Sequence, residues 1–350
     1  MPKALVTGGA GFFGGLLKQR LLAEGWEVVS YDRVPDAAAG HERLTSILAD
    51  LRDAARVEQT FAAHRFDAVF HCAAALAHGL HIDKQDIWTS NVDATRLLAA
   101  TAQRHGVPKF VFLSTNCLWA RNLGHPVAED EPPQPVEIYG ESKWAGEKEL
   151  AKIAESGGGM DIVMLRCPTI IDSVRLGLLA ILFEFIHENK TVWVVGGGGN
   201  HYQFIYAEDL AQACLLALKA SGFHLFHVGS DNVPSLRQTY EAVIGAAGSR
   251  SRVRSLPKGP TLALMQLAHH LHLSPLGPYH YRMIAEDFVF DTSAIKRELG
   301  WQPTLTNGQM LERAYRYYAE RSREIHAREN VSAHSKPASM GLIRLLKWLS

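Results

Sequence analysis

A glycine-rich run near the N-terminus constrains the fold more than any other feature of this sequence. The run, Thr7-Gly8-Gly9-Ala10-Gly11-Phe12-Phe13-Gly14, follows the apolar segment 3–7 and opens a segment of helical character, 12–24. Glycines between a buried strand and a helix allow a tight turn and a close backbone approach, and a helix N-terminus favours a pyrophosphate. Gly8, Gly11 and Gly14 therefore predict a dinucleotide-binding turn, with a glycine-rich turn that binds no ligand as the alternative.

Strand-length apolar runs alternate with helical segments as far as about residue 170. The runs span 3–7, 27–31, 46–49, 68–71, 109–114 and 162–166, and helical segments include 87–105 and 139–155. Short apolar runs are typical of strands buried on both faces, and their alternation with helices indicates a parallel sheet. The sequence thus predicts an α/β fold with a doubly wound parallel sheet and ligands beyond the carboxyl ends of its strands.

Beyond residue 170 the alternation weakens. We predict a helix over 177–189, a strand over 192–195 and a helix over 209–220 with Asp209 as its N-cap. Prolines and glycines between 257 and 278 mark loops and short helices. We expect three parts: a cofactor-binding domain over 1–170, to which later segments return; a smaller α/β substrate-binding lobe over 171–325; and a polar linker with an amphipathic C-terminal helix over 326–350.

Composition excludes several classes of partner. Lys plus Arg and Asp plus Glu are equal, at 36 each, so no net charge attracts nucleic acid. The four cysteines form no C-x-x-C pair, and the histidine-rich run 269–272 has no carboxylate or cysteine at ligand spacing. We therefore predict no metal site and no disulfide framework. The N-terminus has no secretory signal pattern, which favours a cytoplasmic protein.

The last ten residues carry an amphipathic pattern. Four leucines between 342 and 349 recur at i, i+3, i+4 and i+7, and an arginine, a lysine and a tryptophan lie among them. The segment 341–350 is interpreted either as a helix in weak contact with the inner membrane surface or as a strap that packs on the protein or on a partner subunit.

A tyrosine and a lysine four residues apart supply the candidate chemistry. Tyr139 and Lys143 lie on one face of a predicted helix. A nearby ammonium group lowers the pKa of a phenol from its ordinary value of about 10, so Tyr139 becomes a usable general base. Lys143 is also placed to hold a nicotinamide ribose. Ser114-Thr115, at the end of the preceding strand, offers a hydroxyl that holds the reacting substrate oxygen.

Asp32 and Arg33 bear on the choice of cofactor. Asp32 ends the second predicted strand, where a carboxylate accepts hydrogen bonds from the adenosine ribose hydroxyls. Its charge repels a 2′-phosphate, which favours NAD over NADP, whereas the neighbouring Arg33 could accommodate a phosphate. Asp50 and Leu51, after the third predicted strand, are candidates for contact with the adenine edge.

These motifs together resemble the extended short-chain dehydrogenase/reductases, and within them the NAD-dependent epimerase/dehydratase family typified by UDP-galactose 4-epimerase. Further similar segments lie at 71–74, 91, 165–168, 203–209 and 299–303, so the resemblance covers about residues 1–320. It implies a Rossmann domain with bound NAD, a small substrate lobe, and Thr115, Tyr139 and Lys143 as the catalytic group. Besides the residues above, the resemblance implies these cofactor contacts: Phe12, Phe13, Cys72, Ala73, Ala74, Asn91, Ser114, Tyr139, Lys143 and Pro168. We also expect a homodimer.

Three departures from the family pattern narrow the function. Dehydratases of the family carry an acidic pair after the threonine, where this chain has Asn116-Cys117, so sugar 4,6-dehydration is not expected. Cys117 matches the place of a catalytic cysteine in GDP-fucose synthase and the 3,5-epimerases, and a small residue packed under the substrate is the alternative. Many relatives have an arginine near 201–202 that binds the substrate diphosphate. None is present here, and His201 or Arg282 is the candidate replacement.

The sequence therefore predicts an NAD-dependent sugar epimerase acting on a nucleotide sugar or a related sugar. Tyr139 takes a hydroxyl proton while hydride passes to the nicotinamide, and the hydride returns to the opposite face of the keto sugar. Three alternatives stay open: a net dehydrogenase or reductase of a sugar, sterol or other alicyclic alcohol, an epimerase of a lipid-linked sugar, and a non-catalytic NAD-binding regulator. The intact set of Thr115, Tyr139 and Lys143 argues against the regulator.

Overall fold

A computed structural model describes residues 1–36, 38, 40–77, 82–173, 179–271 and 277–326, with the side chain of residue 323 excepted. Its strands are β1 (Lys3–Thr7), β2 (Glu27–Asp32), β3 (Leu44–Leu48), β4 (Ala68–His71), β5 (Lys109–Thr115), β6 (Asp161–Cys167), β7 (Thr169–Ile171), β8 (Val192–Val195), β9 (Phe204–Tyr206), β10 (Phe223–His227) and β11 (Val253–Leu256). Its α-helices are α1 (Phe12–Ala23), α2 (Ala54–Ala63), α3 (Lys84–Trp88), α4 (Ala94–Arg104), α5 (Ile138–Glu155), α6 (Leu179–His187), α7 (Ala207–Ala217), α8 (Leu236–Ala246), α9 (Lys258–His270), α10 (Pro278–Met283), α11 (Ser293–Leu299) and α12 (Asn307–His326). The predicted amphipathic helix 341–350 and residues 177–178 of the predicted helix 177–189 lie outside the described residues.

Seven parallel strands form the central sheet in the order β10-β6-β5-β4-β1-β2-β3. In β1, Thr7 lies beside Tyr31 of β2 and His71 of β4. The chain adds β2 and β3 on one side of β1 and the later strands on the other, so the strand order reverses between β1 and β4. Ligands of such sheets bind at this reversal, outside the carboxyl ends of the strands. The predicted Rossmann-type parallel sheet is confirmed.

Helices cover both faces of the sheet. Alternate residues of β1 enter different cores: Ala4 and Val6 pack in the core that contains Leu17 of α1, and Leu5 packs in the core that contains Leu98 of α4. Successive side chains of a strand point to opposite faces, so a continuous apolar run is the pattern of a strand buried on both sides. The sheet therefore holds its strand ends, and the loops after them, in fixed positions.

Several predicted elements differ from the structure by a few residues at their ends, and two of these differences have a clear structural reason. β3 spans Leu44–Leu48 rather than 46–49 and is an edge strand whose residues are exposed or half-buried, so its pattern is less apolar. The predicted helix 87–105 is divided into α3, a π-helical turn (Thr89–Asp93) and α4. π-helical turns inside helices often occur at functional sites, and this one contains Asn91.

The prediction that Asp209 caps a helix is wrong. α7 begins at Ala207 after the N-cap Tyr206, and Asp209 lies within its first turn. Its carboxylate is buried and accepts hydrogen bonds from the backbone N and the hydroxyl of Thr304, at 2.8 and 2.6 Å. Asp209 thus joins α7 to the segment after α11 instead of capping its own helix.

The second part of the chain contains a separate core and one strand of the central sheet. β7 pairs with β9 and β8 pairs with β11, each in a two-stranded parallel sheet, and α6, α8 and α12 share one hydrophobic core. β10 instead lies in the central sheet beside β6. The domain boundaries given above remain predictions. Among the described residues, no helix is long and apolar enough to cross a membrane.

Candidate active site

Glycines allow the turn after β1 to pack closely against the segment after β4. Gly8 has a φ of +69°, and a Cβ there would lie 2.8 Å from the backbone N of Ala73. A Cβ on Gly14 would lie 2.1 Å from the carbonyl oxygen of Gly8. Gly11 is the N-cap of α1, so the first free N–H groups of the helix lie at this turn. The three predicted glycines thus form a cradle that a side chain would fill.

The two phenylalanines of the turn have different surroundings. Phe13 is 7% exposed and belongs to the core between α1 and the sheet, whereas Phe12 is half-buried. The side chain of Phe13 is therefore committed to the core, and only its backbone N–H is left to contact a cofactor.

Asp32 connects the end of β2 to the glycine turn. Its carboxylate accepts hydrogen bonds from the backbone N of Ala10 at 3.0 Å and of Val34 at 3.1 Å. A cavity of about 210 Å³ lies beside this carboxylate, and Ser30 and Asp36 also line it. Asp32, the predicted contact of the ribose, thus lies at the end of β2 beside the glycine turn.

A buried ion pair beneath the glycine turn was missed by the sequence analysis. The Lys18 ammonium lies 2.9 Å from the carbonyl oxygen of Gly9 and 2.5 Å from the Asp36 carboxylate. The Lys18 and Asp36 side chains are 3% and 4% exposed, and Ser30 donates a hydrogen bond to Asp36 at 2.6 Å. Burial alone would raise the pKa of Asp36, but the hydrogen bonds from Lys18 and Ser30 lower it by more than burial raises it. The pKa of Asp36 is therefore below its ordinary value. The pair fixes the loop after β2 to the glycine turn.

The predicted adenine contact, Asp50, is held by an arginine that the sequence analysis also missed. The guanidinium of Arg52 lies 2.6 Å from the Asp50 carboxylate and 2.7 Å from that of Asp86, and its hydrogen bonds lower the pKa of Asp50. The guanidinium of Arg33 is 3.8 Å from the same Asp86 carboxylate. Arg33 therefore faces a negative charge, which reduces its capacity to bind a phosphate. Leu51 is half-buried against the core.

His71 joins β1, β4 and α4 beneath the cofactor side of the sheet. Its Nδ1 is 2.7 Å from the Thr7 hydroxyl and its Nε2 is 2.8 Å from the Thr95 hydroxyl. Thr95 donates its proton to the carbonyl oxygen of Asn91, so its hydroxyl oxygen accepts a hydrogen bond from Nε2–H of His71. Burial, with a smaller effect of the Lys143 charge, lowers the pKa of His71 to about 3. The ring is therefore a fixed structural link at neutral pH.

Asn91 fixes the segment after β4 to α5. Its side-chain oxygen accepts a hydrogen bond from the backbone N of Ala75 at 2.7 Å, and its amide nitrogen donates to the carbonyl oxygen of Ala75 and to the Ser142 hydroxyl. Both amide protons are thus used within the protein. Asn91 holds the segment of Cys72, Ala73 and Ala74 against the helix of the candidate catalytic pair.

The first turn of α5 lies directly against the end of β5. A Cβ on Gly140 would be 2.3 Å from the carbonyl oxygen of Cys117, so only glycine permits this approach. Tyr139 precedes Gly140 and is half-buried. Thr115 ends β5, is 6% exposed, and accepts a hydrogen bond from the backbone N of Cys117 at 3.1 Å. The fold thus brings the start of α5, which carries Tyr139, against the segment that follows Thr115.

Lys143 lies one helical turn after Tyr139 and is buried. Its ammonium is 3.8 Å from the centroid of the Phe112 ring, and burial lowers its pKa to about 8. The group therefore stays mainly protonated at pH 7 and places a positive charge on the Tyr139 face of α5. One turn further, Glu147 forms a buried ion pair with Arg166 of β6, with N–O distances of 3.0 and 2.8 Å, which fixes the position of α5.

Ser114 supplies a test of whether the site fits a bound molecule. Its hydroxyl oxygen is buried and has no hydrogen-bond partner among the described residues. A buried hydroxyl without a partner is unfavourable, and such groups often mark the place of a ligand or water. Ser114 lies at the carboxyl end of β5, and Pro168 follows the end of the adjacent β6. The orphaned hydroxyl and the glycine cradle both fit an extended ligand that crosses the strand ends.

Comparison with known proteins identifies the family. The sequence profile of the NAD dependent epimerase/dehydratase family matches residues 4–229. The chain belongs to this family. It is 34% identical over 345 residues to the uncharacterized protein y4nG of Sinorhizobium fredii, an alignment that covers 99% of this chain and 85% of that protein.

Two further relatives carry the names of epimerases. The UDP-glucose 4-epimerase of Mycolicibacterium smegmatis is 26% identical, over 91% of this chain and 99% of that protein. The crystal structure of the Thermotoga maritima UDP-glucose 4-epimerase with UDP-glucose has a TM-score of 0.73 and 23% identity, over 91% of this chain and 99% of that one. The crystal structure shows a shared fold. As a family member, the chain is an enzyme, and NAD is its cofactor.

The substrate side of this family member carries a cluster that the sequence analysis did not identify. The amide nitrogen of Asn116 lies 2.9 Å from the Tyr202 hydroxyl and 2.8 Å from the Tyr279 hydroxyl, and the two hydroxyls are 2.8 Å apart. The backbone N of Tyr279 donates to Glu137, the N-cap of α5, at 2.7 Å. The cluster therefore connects the lobe helix α10 to the first turn of α5, beside Thr115.

Cys117 lies in this cluster as a thiol. Burial raises its pKa to about 12, so it carries no charge at neutral pH. A catalytic base must lose its proton near the working pH. The surroundings of Cys117 therefore favour the interpretation of a small packed residue over that of a catalytic cysteine.

The two predicted replacements for the diphosphate-binding arginine differ. The backbone N of His201 lies 2.6 Å from the Asp287 carboxylate, and the imidazole Nδ1 is 3.3 Å from the same group. The imidazole of His201 thus already contacts the carboxylate of Asp287, which makes it a poor candidate for binding a diphosphate. Arg282 is exposed on α10 and makes no ion pair with a described residue. Arg282 is the better candidate on geometric grounds.

Proposed function

We propose that this enzyme is an NAD-dependent sugar epimerase with Tyr139 as its general acid–base. One observation carries the proposal: Gly140 packs on the carbonyl oxygen of Cys117, and this approach of α5 to the end of β5 supports a site that combines Tyr139 and Lys143 with Thr115. The glycine cradle, the carboxylate of Asp32 and the unpartnered Ser114 hydroxyl are the groups that would hold NAD. This arrangement offers proton transfer directly beside the cofactor site.

In this proposal, Thr115 and Tyr139 hold the reacting hydroxyl of the sugar. Tyr139 takes its proton, and the nearby ammonium of Lys143 stabilises the phenolate that accepts it. When bound, NAD supplies the hydride acceptor and returns the hydride, so that no net oxidation results. Tyr139 then returns the proton to the same oxygen. Lys143 is mainly charged at pH 7, because its pKa of about 8 is above that pH.

The names of the relatives make a UDP-sugar the first substrate class to test. One observation favours a second class. His201 lies on the Asp287 carboxylate, so the place where many relatives bind a diphosphate holds a negative charge. A lipid-linked sugar depends less on protein contacts to its diphosphate, because the membrane also holds the substrate. An epimerase of a lipid-linked sugar is therefore the second candidate, and a net dehydrogenase of an alicyclic alcohol is the third.

Replacing Tyr139 by Phe tests the catalytic assignment. The variant should lose at least about 10²–10⁴-fold in turnover, because only the proton-transferring hydroxyl is removed. Its NAD binding should stay close to that of the wild type. Tyr240→Phe is the matched control, since it removes a phenol hydroxyl in the lobe helix α8. Turnover near the wild-type rate in Tyr139→Phe would remove this residue from the proposed role.

A spectroscopic experiment separates epimerisation from net oxidation. Purified enzyme that retains NAD is mixed with substrate and no added nicotinamide. An epimerase converts all the substrate, and the absorbance of reduced cofactor rises only transiently. A net dehydrogenase stops after one equivalent, with reduced cofactor accumulating in step with product. The second outcome would overturn the epimerase proposal.

We propose further that the enzyme is a cytoplasmic homodimer whose C-terminal segment 341–350 contacts the inner membrane surface weakly. The leucine spacing and two basic residues of the segment support this, and each basic residue contributes about 1 kcal/mol near an anionic bilayer. A strap that packs on the enzyme or its partner subunit is the alternative for the same segment.

A further inference from the structure

Helix α9 exposes a stripe of leucines. Leu264, Leu267 and Leu271 are 63%, 54% and 58% exposed, and Ala268 is the buried residue of this helix. Positions 264, 267 and 271 recur at i, i+3 and i+7, so the three side chains share one face. Single exposed leucines are ordinary on proteins, but a contiguous aliphatic stripe usually marks a contact surface.

The sequence around α9 has a strong positive bias although the whole chain has no net charge. Between Glu241 and Glu286 there is no aspartate or glutamate. The same stretch contains these arginines and lysines: Arg250, Arg252, Arg254, Lys258 and Arg282. Such local bias creates a positive potential that attracts anionic partners, independently of the net charge of the chain.

Three arginines in and just before β11 carry most of the part of this charge that is not in an ion pair with a described residue. Arg250, Arg252 and Arg254 occupy every second position of the sequence, and all three are exposed. Among the described residues, none of these three guanidinium groups takes part in an ion pair. Lys258 differs, since its ammonium lies 2.7 Å from the Glu286 carboxylate. These arginines and the exposed leucines that follow them in the sequence together have the chemistry of a mixed apolar and basic surface.

This chemistry fits an anionic lipid surface better than a protein partner. The α9 stripe is aliphatic, whereas the centres of protein–protein interfaces are enriched in tyrosine, tryptophan and other aromatic residues. Amphipathic segments that lie on membranes combine a leucine-rich face with lysine or arginine beside it. Each basic residue near an anionic bilayer adds to the attraction, which salt screens.

We propose that Leu264, Leu267 and Leu271, with Arg250, Arg252 and Arg254, form a surface that binds an anionic phospholipid membrane. We term these six residues the α9 surface. Its position gives the contact a role. The His269 ring of α9 lies 6.0 Å from the Tyr281 ring of α10, and α10 also carries Tyr279, whose hydroxyl lies in the Asn116 cluster. A bilayer on the α9 surface would therefore lie next to the helix that closes the substrate side.

The test measures partition of the full-length enzyme, with NAD bound, onto sedimented vesicles. Phosphatidylcholine vesicles with and without phosphatidylglycerol are compared. We expect binding to the anionic vesicles that falls at high salt. Leu264→Gln/Leu267→Gln should lower the partition coefficient about tenfold or more, because each leucine loses apolar contact with the bilayer. Leu48→Gln is the matched control, since Leu48 is 62% exposed on the edge strand β3, and it should bind like the wild type.

A charge-reversal pair tests the basic part. Arg252→Glu/Arg254→Glu should lower binding to anionic vesicles about tenfold or more. Arg56→Glu/Arg65→Glu is the control, because it changes the net charge equally at exposed positions of α2 and the loop before β4. Retained NAD and unchanged circular dichroism verify that all variants are folded.

Several outcomes would overturn the proposal. These are no binding of the wild type to anionic vesicles, equal binding to both vesicle types, or equal loss in the variants and their controls. A change of oligomeric state without lipid in Leu264→Gln/Leu267→Gln would assign the stripe to a second copy of the chain. None of these readouts depends on the epimerase activity, so they leave the proposed function untouched.

Discussion

The buried ion pair between Lys18 and Asp36 leads to a sharp stability prediction. Lys18→Met removes the cation and leaves the Asp36 carboxylate 4% exposed, with only the Ser30 hydroxyl and the backbone N of Ala38 as hydrogen-bond donors. Breaking a buried ion pair from one side typically costs about 3–5 kcal/mol, because a charge stays buried without compensation. That is a large part of a typical unfolding free energy of about 5–15 kcal/mol. We expect a loss of this size, with weaker NAD binding because the glycine turn is less fixed.

The same helix supplies the control. Arg20 and Glu24 of α1 form an ion pair at 2.7 Å whose side chains are 48% and 38% exposed. Exposed pairs contribute about 0–1 kcal/mol, so Arg20→Met should change the unfolding free energy by no more than that. Urea unfolding with saturating NAD, followed by circular dichroism, compares the two variants. The double variant Lys18→Met/Asp36→Asn should recover part of the loss, because no unpaired charge is left.

The effect should depend on pH in a defined direction. In the wild type the pKa of Asp36 is lowered, so its stabilising contribution is present above about pH 4 and is lost as pH falls through the lowered value. In Lys18→Met, burial without the cation raises the pKa of Asp36, and protonation at acid pH relieves the penalty. The difference between wild type and variant should therefore be largest near pH 7 and narrow below about pH 5. A loss in Lys18→Met no larger than in Arg20→Met, or a difference that widens in acid, would refute the reasoning.

Three further predictions concern the cofactor site and the tail. Lys143→Met should abolish turnover but raise the free energy of unfolding at pH 7 by about 1–3 kcal/mol, because burial disfavours the charged ammonium and lowers the pKa of Lys143 to about 8. For the same reason, the free energy of unfolding of the wild type should rise with pH between about 8 and 10.5. A variant less stable than the wild type would contradict this prediction. Asp32→Ala should weaken NAD binding and reduce the preference for NAD over NADP, as measured by titration of both cofactors. If the wild type bound NADP more tightly than NAD, the assignment of Asp32 as the ribose contact would be wrong. A chain that ends at Lys336 should sediment less with anionic vesicles at low salt than the full chain, and equal partition would assign the tail to packing.

The sequence was sufficient for the strands that are buried on both faces. The bounds predicted for β1, β4 and β8 are those of the structure, because a doubly buried strand reads as an uninterrupted apolar run. The predicted bounds of β3 were shifted by one to two residues. β3 lies at the sheet edge, where its residues are partly or fully exposed to solvent and need not be apolar, so the sequence pattern is weak. The π-helical turn around Asn91 was not predicted either, since its residues fit the periodicity of an ordinary helix.

The parts of the site that depend on contacts between distant segments could not be predicted. Arg52 on Asp86 and Tyr279 on Asn116 join residues with no characteristic spacing, so the sequence shows polar residues but not their partners. The glycine–tyrosine–lysine pattern was readable because its members lie within one turn or one helix. The close packing of Gly140 against Cys117, which brings the start of α5 to the end of β5, could not be read in this way.

Helix α9 shows the same limit and why it matters for function. Apolar residues at helical spacing occur both in α4 and in α9, and in each helix the pattern predicts an apolar face. In α4 that face is covered, so that Leu98 is 1% exposed, whereas Leu264 of α9 is 63% exposed. The periodicity of a sequence shows that a helix has an apolar face. Whether another element covers that face can be seen only in the packed structure. Arg250, Arg252 and Arg254 precede α9 and form no ion pair with a described residue. Together with the exposed leucines, these cations favour an anionic surface over an apolar protein partner.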